Sequence, residues 1–254
     1  MKINLYLFLA VCCCAFGLSE NSYGQTTVTD SASSANIALA NANNLFNKSI
    51  GEQSALFNGP EYYFYNPVLF KGSPNFLEKP YVLGNVCYEG VEYRGVNLLY
   101  DLYKNELVSL LYGKFLNYKL VNKKVQNFDL MGHHFININA DSLGANSVLK
   151  GGYYDELYHG KMQVIAKLSK DLRLNVQEVG STQMYSLFNP ASMELYLKKD
   201  GAYYHITSQD ALLDVLKDHK KQVQQYIRSA KMKYRKQPDQ TLVSAATYYD
   251  HLSN

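Results

Sequence analysis

The chain has no tryptophan, only six prolines in 254 residues and four cysteines, three of them side by side near the start. Each shortage excludes something. Cys12, Cys13 and Cys14 lie inside an apolar amino-terminal run, so the rest of the chain carries Cys87 alone and closes no internal disulfide. Cys87 itself stands in the apolar run Val86-Cys87-Tyr88 with no adjacent cation or base, and reads as a small core residue rather than a nucleophile. No G-x-S-x-G elbow, Walker loop, G-x-G-x-x-G or H-E-x-x-H spacing occurs. The six histidines form no ligand set either. His133 and His134 are neighbours, and in a strand neighbours point to opposite faces; His159, His205, His219 and His251 are far apart. Asp101 and Asp155 each follow a tyrosine, but nothing in the sequence brings them to a shared cleft, and hydrogen bonding in turns is the expected role. The expectation is a protein that is not an enzyme and uses no cofactor.

What is present begins at residue 1. Met1 and Lys2 lead into the apolar stretch Ile3–Leu18, and Ser22 and Gly24 place small residues three and one positions before Gln25. This is the pattern of a secretory signal over 1–24, cut after Gly24. The apolar stretch falls short of the roughly 20 residues a spanning helix needs. Lipid attachment at Cys12 is the alternative, since Leu9-Ala10-Val11-Cys12 approaches a lipid-attachment box. No later run approaches spanning length. Without disulfides the exported chain must be held by its core, which a domain of this size can build, burying roughly 70% of its unfolded surface.

Tyrosine and phenylalanine, 23 and 11 in number, favour pleated, half-buried surfaces. The expected organisation has three parts beyond the signal. Residues 25–80 form a leader, disordered to about Ser34, then a short helix over Ala35–Ile50 with Ile37, Leu45 and Phe46, then a segment punctuated by Asn58-Gly59-Pro60, Asn66-Pro67, Gly72-Ser73-Pro74 and Lys79-Pro80 that wraps the core. Residues 81–207 form an antiparallel β domain. Its strands are Val82–Tyr88, Val91–Tyr93, Val96–Asp101, Glu106–Tyr112, Leu116–Val121, Val125–Leu130, Phe135–Asn139, Tyr153–Tyr158, Lys161–Leu168, Leu174–Val179, Met184–Phe188, Met193–Lys198 and Ala202–Thr207. Glu89-Gly90, Arg94-Gly95 and Asp200-Gly201 are the expected tight turns, and Ala140–Lys150 a loop. Residues 208–254 form a basic helical segment packed on the β domain. Tyr100-Asp101-Leu102-Tyr103 is echoed at Tyr154-Asp155 with Leu157-Tyr158, and more loosely at Tyr196–Gly201.

The fold class is therefore α+β: an antiparallel β-meander forming a barrel or sandwich, followed by a C-terminal bundle of about three short helices. Strands of five to eight residues are too short for an outer-membrane barrel, which needs about 9 to 11. Ser208 can cap the first helix, with Asp210 in its first turn and Leu212, Leu213, Val215 and Leu216 on the apolar side. Val223, Tyr226, Ile227 and Ala230 make one face of the next. Pro238-Asp239 starts the last, with Leu242, Val243, Ala246 and Tyr249 inward.

Charge is uneven. The chain totals +3, yet Lys217, Lys220, Lys221, Arg228, Lys231, Lys233, Arg235 and Lys236 stand against Asp218 alone, a local +7 that leaves −4 elsewhere. Such a stripe is either the solvated back of amphipathic helices or a contact for an anionic surface or acidic partner. Export argues against nucleic acid, and no nucleic-acid-binding motif is visible.

Asn58-Gly59 with Glu61-Tyr62, Leu98-Leu99-Tyr100-Asp101, Gly152-Tyr153-Tyr154-Asp155 with Leu157-Tyr158 and Gly160-Lys161, and Tyr248-Tyr249-Asp250 together resemble a set of uncharacterised exported proteins of Bacteroidetes-type bacteria. The likeness runs from about Leu56 to Leu252. It implies a periplasmic or outer-membrane-associated address in a Gram-negative cell and no established activity. The functional expectation is a non-catalytic envelope protein that binds a protein partner or an anionic surface component through the eight basic residues. A small-ligand carrier with an aromatic-lined β-barrel cavity is the alternative.

Overall fold

Hydrophobic alternation and positive-φ turns produce thirteen strands among the described residues, and helical periodicity closes the chain. The computed structural model describes residues 28–51, 54–79, 81–111, 116–144, 147–177, 180 and 183–252; the expected signal segment and Cys12 lie outside them. Helix α1 (Val28–Ile50) begins ahead of Ala35 and takes in part of the leader expected to be disordered. The alanine-rich composition that favours helix extends upstream to Ala32. The chain divides into two compact units within α1, after Leu39, and the unit beginning at Ala40 contains every described strand.

Those strands are β1 (Phe70–Lys71), β2 (Val82–Tyr88), β3 (Val91–Asp101), β4 (Glu106–Leu111), β5 (Leu116–Lys119), β6 (Val125–Leu130), β7 (His133–Ile138), β8 (Gly152–His159), β9 (Gln163–Ser169), β10 (Leu172–Gln177), β11 (Met184–Phe188), β12 (Ser192–Lys199) and β13 (Ala202–His205). Helices α2 (Gln209–Val215), α3 (Lys220–Ser229) and α4 (Pro238–Leu252) follow. Ten strands form one antiparallel sheet in the order β13-β12-β9-β8-β7-β6-β2-β3-β4-β5.

The sheet departs from the expected meander in four ways. First, Arg94-Gly95 is not a turn: β3 runs through it, and the register with β2 jumps between Gly84 and Val86. Two residues of β3 there oppose Asn85, a bulge that Gly95 accommodates at φ 64° while its N–H donates to Asn85 Oδ1 at 3.2 Å. Second, β6 pairs with β2 rather than β5. The outer edge of β5 is already taken by the wrapping segment, where Tyr62 N donates to Asn117 O at 2.7 Å and Lys119 N to Pro60 O at 2.9 Å. Third, β10 and β11 leave the sheet and join β1 in a separate three-stranded one. Fourth, the large sheet is open: its edges β5 and β13 do not pair, so it is not a closed barrel.

The open sheet is nevertheless strongly curled. Three strands separate β3 from β8 in the hydrogen-bonded order, yet the rings of Tyr100 on β3 and Tyr153 on β8 lie 5.6 Å apart, edge to face. Phe128 and Phe135 stack between them at 4.7 Å, and all four rings are buried. They belong to an apolar core with Val86, Leu98, Leu107 and Leu130 that fills the curl. A second core lies where Val164, Ala166, Leu195 and Leu197 meet Leu212, Leu216, Val223, Ile227, Leu242 and Ala246 of the three closing helices. Each such side chain contributes roughly 1.5–3 kcal/mol relative to exposure, which holds helices too short to persist alone. Ser208 caps α2, its Oγ accepting from Ala211 N at 3.1 Å. Ala230, expected on the inner face, instead ends α3 and is exposed.

The wrapping segment is tied to the sheet by one carboxylate. Asp101 has no solvent exposure, its Oδ2 accepts from Tyr62 OH and Tyr65 OH at 3.0 Å each, and its Oδ1 accepts from Lys104 N at 2.9 Å. Burial first, and then the adjacent carboxylate, push both phenols well above their usual pKa. Removing this acceptor leaves one buried and one half-buried hydroxyl unpaired. Asp101→Ala should therefore lower the unfolding free energy by about 2–4 kcal/mol in urea titration, against about 1 kcal/mol for Tyr65→Phe. Equal losses in the two variants would show that the carboxylate is not the anchor.

Candidate functional site: a basic face and an asparagine-lined cleft

The eight basic residues singled out by charge all reach the surface. Lys217, Lys220, Lys221, Arg228, Lys231, Lys233, Arg235 and Lys236 are every one exposed. Their placement follows from helix geometry. Val223 and Ile227 turn α3 inward and are buried, and at about 100° per residue Lys221 and Arg228 then fall on the solvent side, roughly 140° and 120° from the buried direction. Between α3 and α4, Tyr234 is buried and donates its hydroxyl to Ile206 O at 2.7 Å, so its neighbours Lys233, Arg235 and Lys236 face outward. Lys217 lies on the single 3-10 turn joining α2 to α3. Lys220 pairs with Asp214 at 2.8 Å, and the other seven make no ion pair among the described residues.

Asp218, the one acid within the stretch, does not offset this charge outward. Its Oδ1 pairs with Lys199 Nζ of β12 at 2.8 Å, and its Oδ2 accepts from Tyr249 OH of α4. Burial alone would raise its pKa, but the hydrogen bonds from Lys199 and Tyr249 prevail and hold it at about 2. A carboxyl depressed in the folded state stabilises above its unfolded pKa, and that contribution is lost as pH falls through the folded value.

A second feature was not legible in the sequence. Asn105, Asn122, Asn137 and Asn139, with Lys123, Ile138, Ala140, Gly151 and Gly152, line a cleft of about 300 Å³. These residues come from the β3–β4 turn, the 3-10 turn before β6, the end of β7 and the start of β8. Asn105 sits at φ 55°, and its Oδ1 accepts from Tyr100 OH at 2.9 Å, Tyr153 N at 3.4 Å and Lys167 Nζ at 3.0 Å. Lys167 Nζ also donates to Tyr153 O at 3.0 Å and lies 4.9 Å from the centre of the Tyr154 ring. Burial brings the Lys167 amine down to about 8, partly countered by Glu194. Scattered asparagines carry no spacing signal; the curl of the sheet gathers them.

Comparison with known proteins leaves the site to speak for itself. No family model, curated protein or solved structure matches this chain. The histidines are dispersed over separate partners: His133 Nδ1 bonds Asp155 at 2.6 Å, His134 Nδ1 bonds Asp129 at 2.6 Å, His159 Nδ1 bonds Glu156 at 2.8 Å, and His205 stacks on Tyr196. No three His, Cys, Asp or Glu side chains are grouped to hold a metal among the described residues. Burial raises the Asp155 carboxyl, although His133 acts against it. That histidine packs against the rings of Phe76 and Phe135, at 5.0 and 6.0 Å, and its bond to Asp155 joins β7 to β8. Asp101 and Asp155 stay apart in function, the first in a turn and the second in mid-strand against His133.

The inward pairing of Asp218 can be tested by pH. Wild type should lose part of its stability as pH falls from about 4 to 2, and Asp218→Asn should lack that step. With the carboxylate side chain 45% exposed, solvent screening keeps the difference below about 1 kcal/mol. Superimposable stability–pH profiles for the two proteins would refute the pairing.

Proposed function

We propose that the chain is a non-catalytic exported protein of a Gram-negative envelope that docks on an anionic surface component through the basic residues of α3 and the turns on either side of it. The observation that carries this reading is the set of seven exposed cations with no ion-pair partner among the described residues, on a helical layer anchored by a buried apolar core. Juxtaposed cations repel one another, and a facing array of phosphates or carboxylates relieves that repulsion. The amino-terminal sequence supports export, and no described helix is long and apolar enough to cross a membrane. Contact from outside the bilayer suits both facts. The carrier alternative needs an empty interior, and the rings that fill the curl lend it no support.

An envelope protein is the second reading of the partner. It is favoured by exposed apolar side chains on the wrapping segment, Tyr63, Phe64, Val68 and Leu69.

Vesicle co-sedimentation separates the two. The protein should bind vesicles containing phosphatidylglycerol and leave phosphatidylcholine vesicles free, with binding falling steeply as salt rises above about 0.15 M. At about 1 kcal/mol per cation near the surface, Lys221→Glu with Arg228→Glu should weaken binding at least about tenfold. Binding that ignores salt and both reversals would overturn the electrostatic reading. Absence of vesicle binding, with saturable capture of one envelope protein lost on Phe64→Ser, would favour the partner reading.

A further inference from the structure

The asparagine-lined cleft is a site independent of the basic face, and the balance of its polar groups identifies what it would hold. Its acceptors are largely spent. Asn122 Oδ1 accepts from Tyr153 OH at 2.9 Å and Asn139 Oδ1 from Asp141 N at 3.0 Å. Asn105 Oδ1 is shared by three donors. Its donors are not spent. Asn105 Nδ2 and Asn139 Nδ2 have no protein partner among the described residues, whereas Asn137 Nδ2 and Asn122 Nδ2 are committed to backbone carbonyls. Lys123 is held only by Asp141, in a pair whose side chains are 73% and 67% exposed and which contributes little.

Behind the floor stands a cation whose hydrogen bonds reach no charged acceptor. Both hydrogen bonds of Lys167 go to neutral oxygens; Glu194, directly across from it on β12, acts on it through its field but makes no ion pair with it and accepts from Tyr196 OH at 2.9 Å. The floor itself is glycine. At Gly152, φ 129°, a Cβ would lie 2.5 Å from Asn105 Nδ2 and 2.6 Å from Lys167 Nζ, so only a bare backbone lets the amide and the ammonium reach this point together. A surplus of donors and an ammonium with no direct ion pair complement an acceptor-rich, negatively charged group.

We propose that this cleft binds a small oxyanion, a phosphate or carboxylate group, through Asn105, Asn139 and Lys123 in the field of Lys167. The anion would add a closer counter-charge and hold the β3–β4 turn against the start of β8.

The test uses the full exported chain at constant ionic strength, with inorganic phosphate and methyl phosphate titrated in parallel against chloride. Backbone amide resonances at Gly152 and Asn105 should move saturably, and the titration of the Lys167 amine, followed after reductive ¹³C-methylation, should shift upward from about 8 when phosphate is bound. Asn139→Ala and Lys123→Ala lie on exposed positions and leave the core intact, and each should weaken binding about tenfold. Tighter binding of methyl phosphate would assign the group to a larger esterified molecule, and tighter binding of phosphate to the free ion; either supports the site. A response that is not saturable, that chloride reproduces, or that both variants retain in full would overturn it. Lys221→Glu with Arg228→Glu should leave phosphate binding unchanged, so failure of the vesicle reading and failure of this one are distinguishable.

Discussion

An antiparallel sheet that curls far enough to bring β8 and β9 back against β3, across the three strands between β3 and β8, must be held by something, and here backbone hydrogen bonds do not close it. Side chains do. Asn105, in a left-handed turn at the end of β3, gives one carboxamide oxygen to Tyr100, to the backbone of β8 and to Lys167 on β9. Tyr100, Phe128, Phe135 and Tyr153 fill the space enclosed by that curvature. Once the curl is fixed, the remaining apolar surface of β9 and β12 has to be covered, and the three closing helices cover it. The cleft beside Asn105 and the orientation of the basic face both descend from this geometry.

Tyrosine suits such an interior better than phenylalanine alone. Each buried ring supplies apolar area, and each hydroxyl supplies a bond that fixes where a loop must lie. Tyr62 and Tyr65 seek Asp101, Tyr153 seeks Asn122, Tyr154 seeks the Lys150 carbonyl, and Tyr158 seeks Asp250 of the last helix. The two Tyr-Asp pairs of the echo sit in unlike surroundings, Tyr100 donating to Asn105 and Tyr154 to the Lys150 carbonyl. Asp101 closes a turn and anchors the wrapping segment, while Asp155 pairs with His133 in mid-strand.

The two charged features of the surface differ in kind. On α3 and the turn after it, cations are separated from the core and lie open to solvent, which suits a broad surface contact that salt screens. At Lys167 a single ammonium is drawn in among neutral groups, where low polarity strengthens any interaction it makes. Asp218 keeps the first feature free of internal compensation by spending its charge on Lys199 and Tyr249. Glu194, across the strand pair, offsets the second only in part and accepts from Tyr196.

Local chemistry was legible in the residues themselves. Alternation located nearly every strand to within two or three residues, Ser208 marked the start of α2, and helical periodicity marked which side of α3 is buried. Exposure of the basic stripe followed from the same periodicity, because eight charges cannot all be buried. Pairing order was not legible. That β6 would return to β2 depended on Pro60 and Tyr62 occupying the edge of β5, a contact across more than fifty residues of sequence. The bulge at Gly95 and the departure of β10 and β11 into a second sheet are long-range outcomes of the same sort. The asparagine cleft is the clearest case. Four residues of one type at unrelated spacings carry no periodic signal, and only the closure of the curl, a tertiary event, turns them toward one another. Sequence alone therefore determined the elements and their exposed charge, since both depend on neighbours a few positions away; the tertiary structure decided the strand order, the open edge and the cleft, since these depend on which distant edge was free to pair.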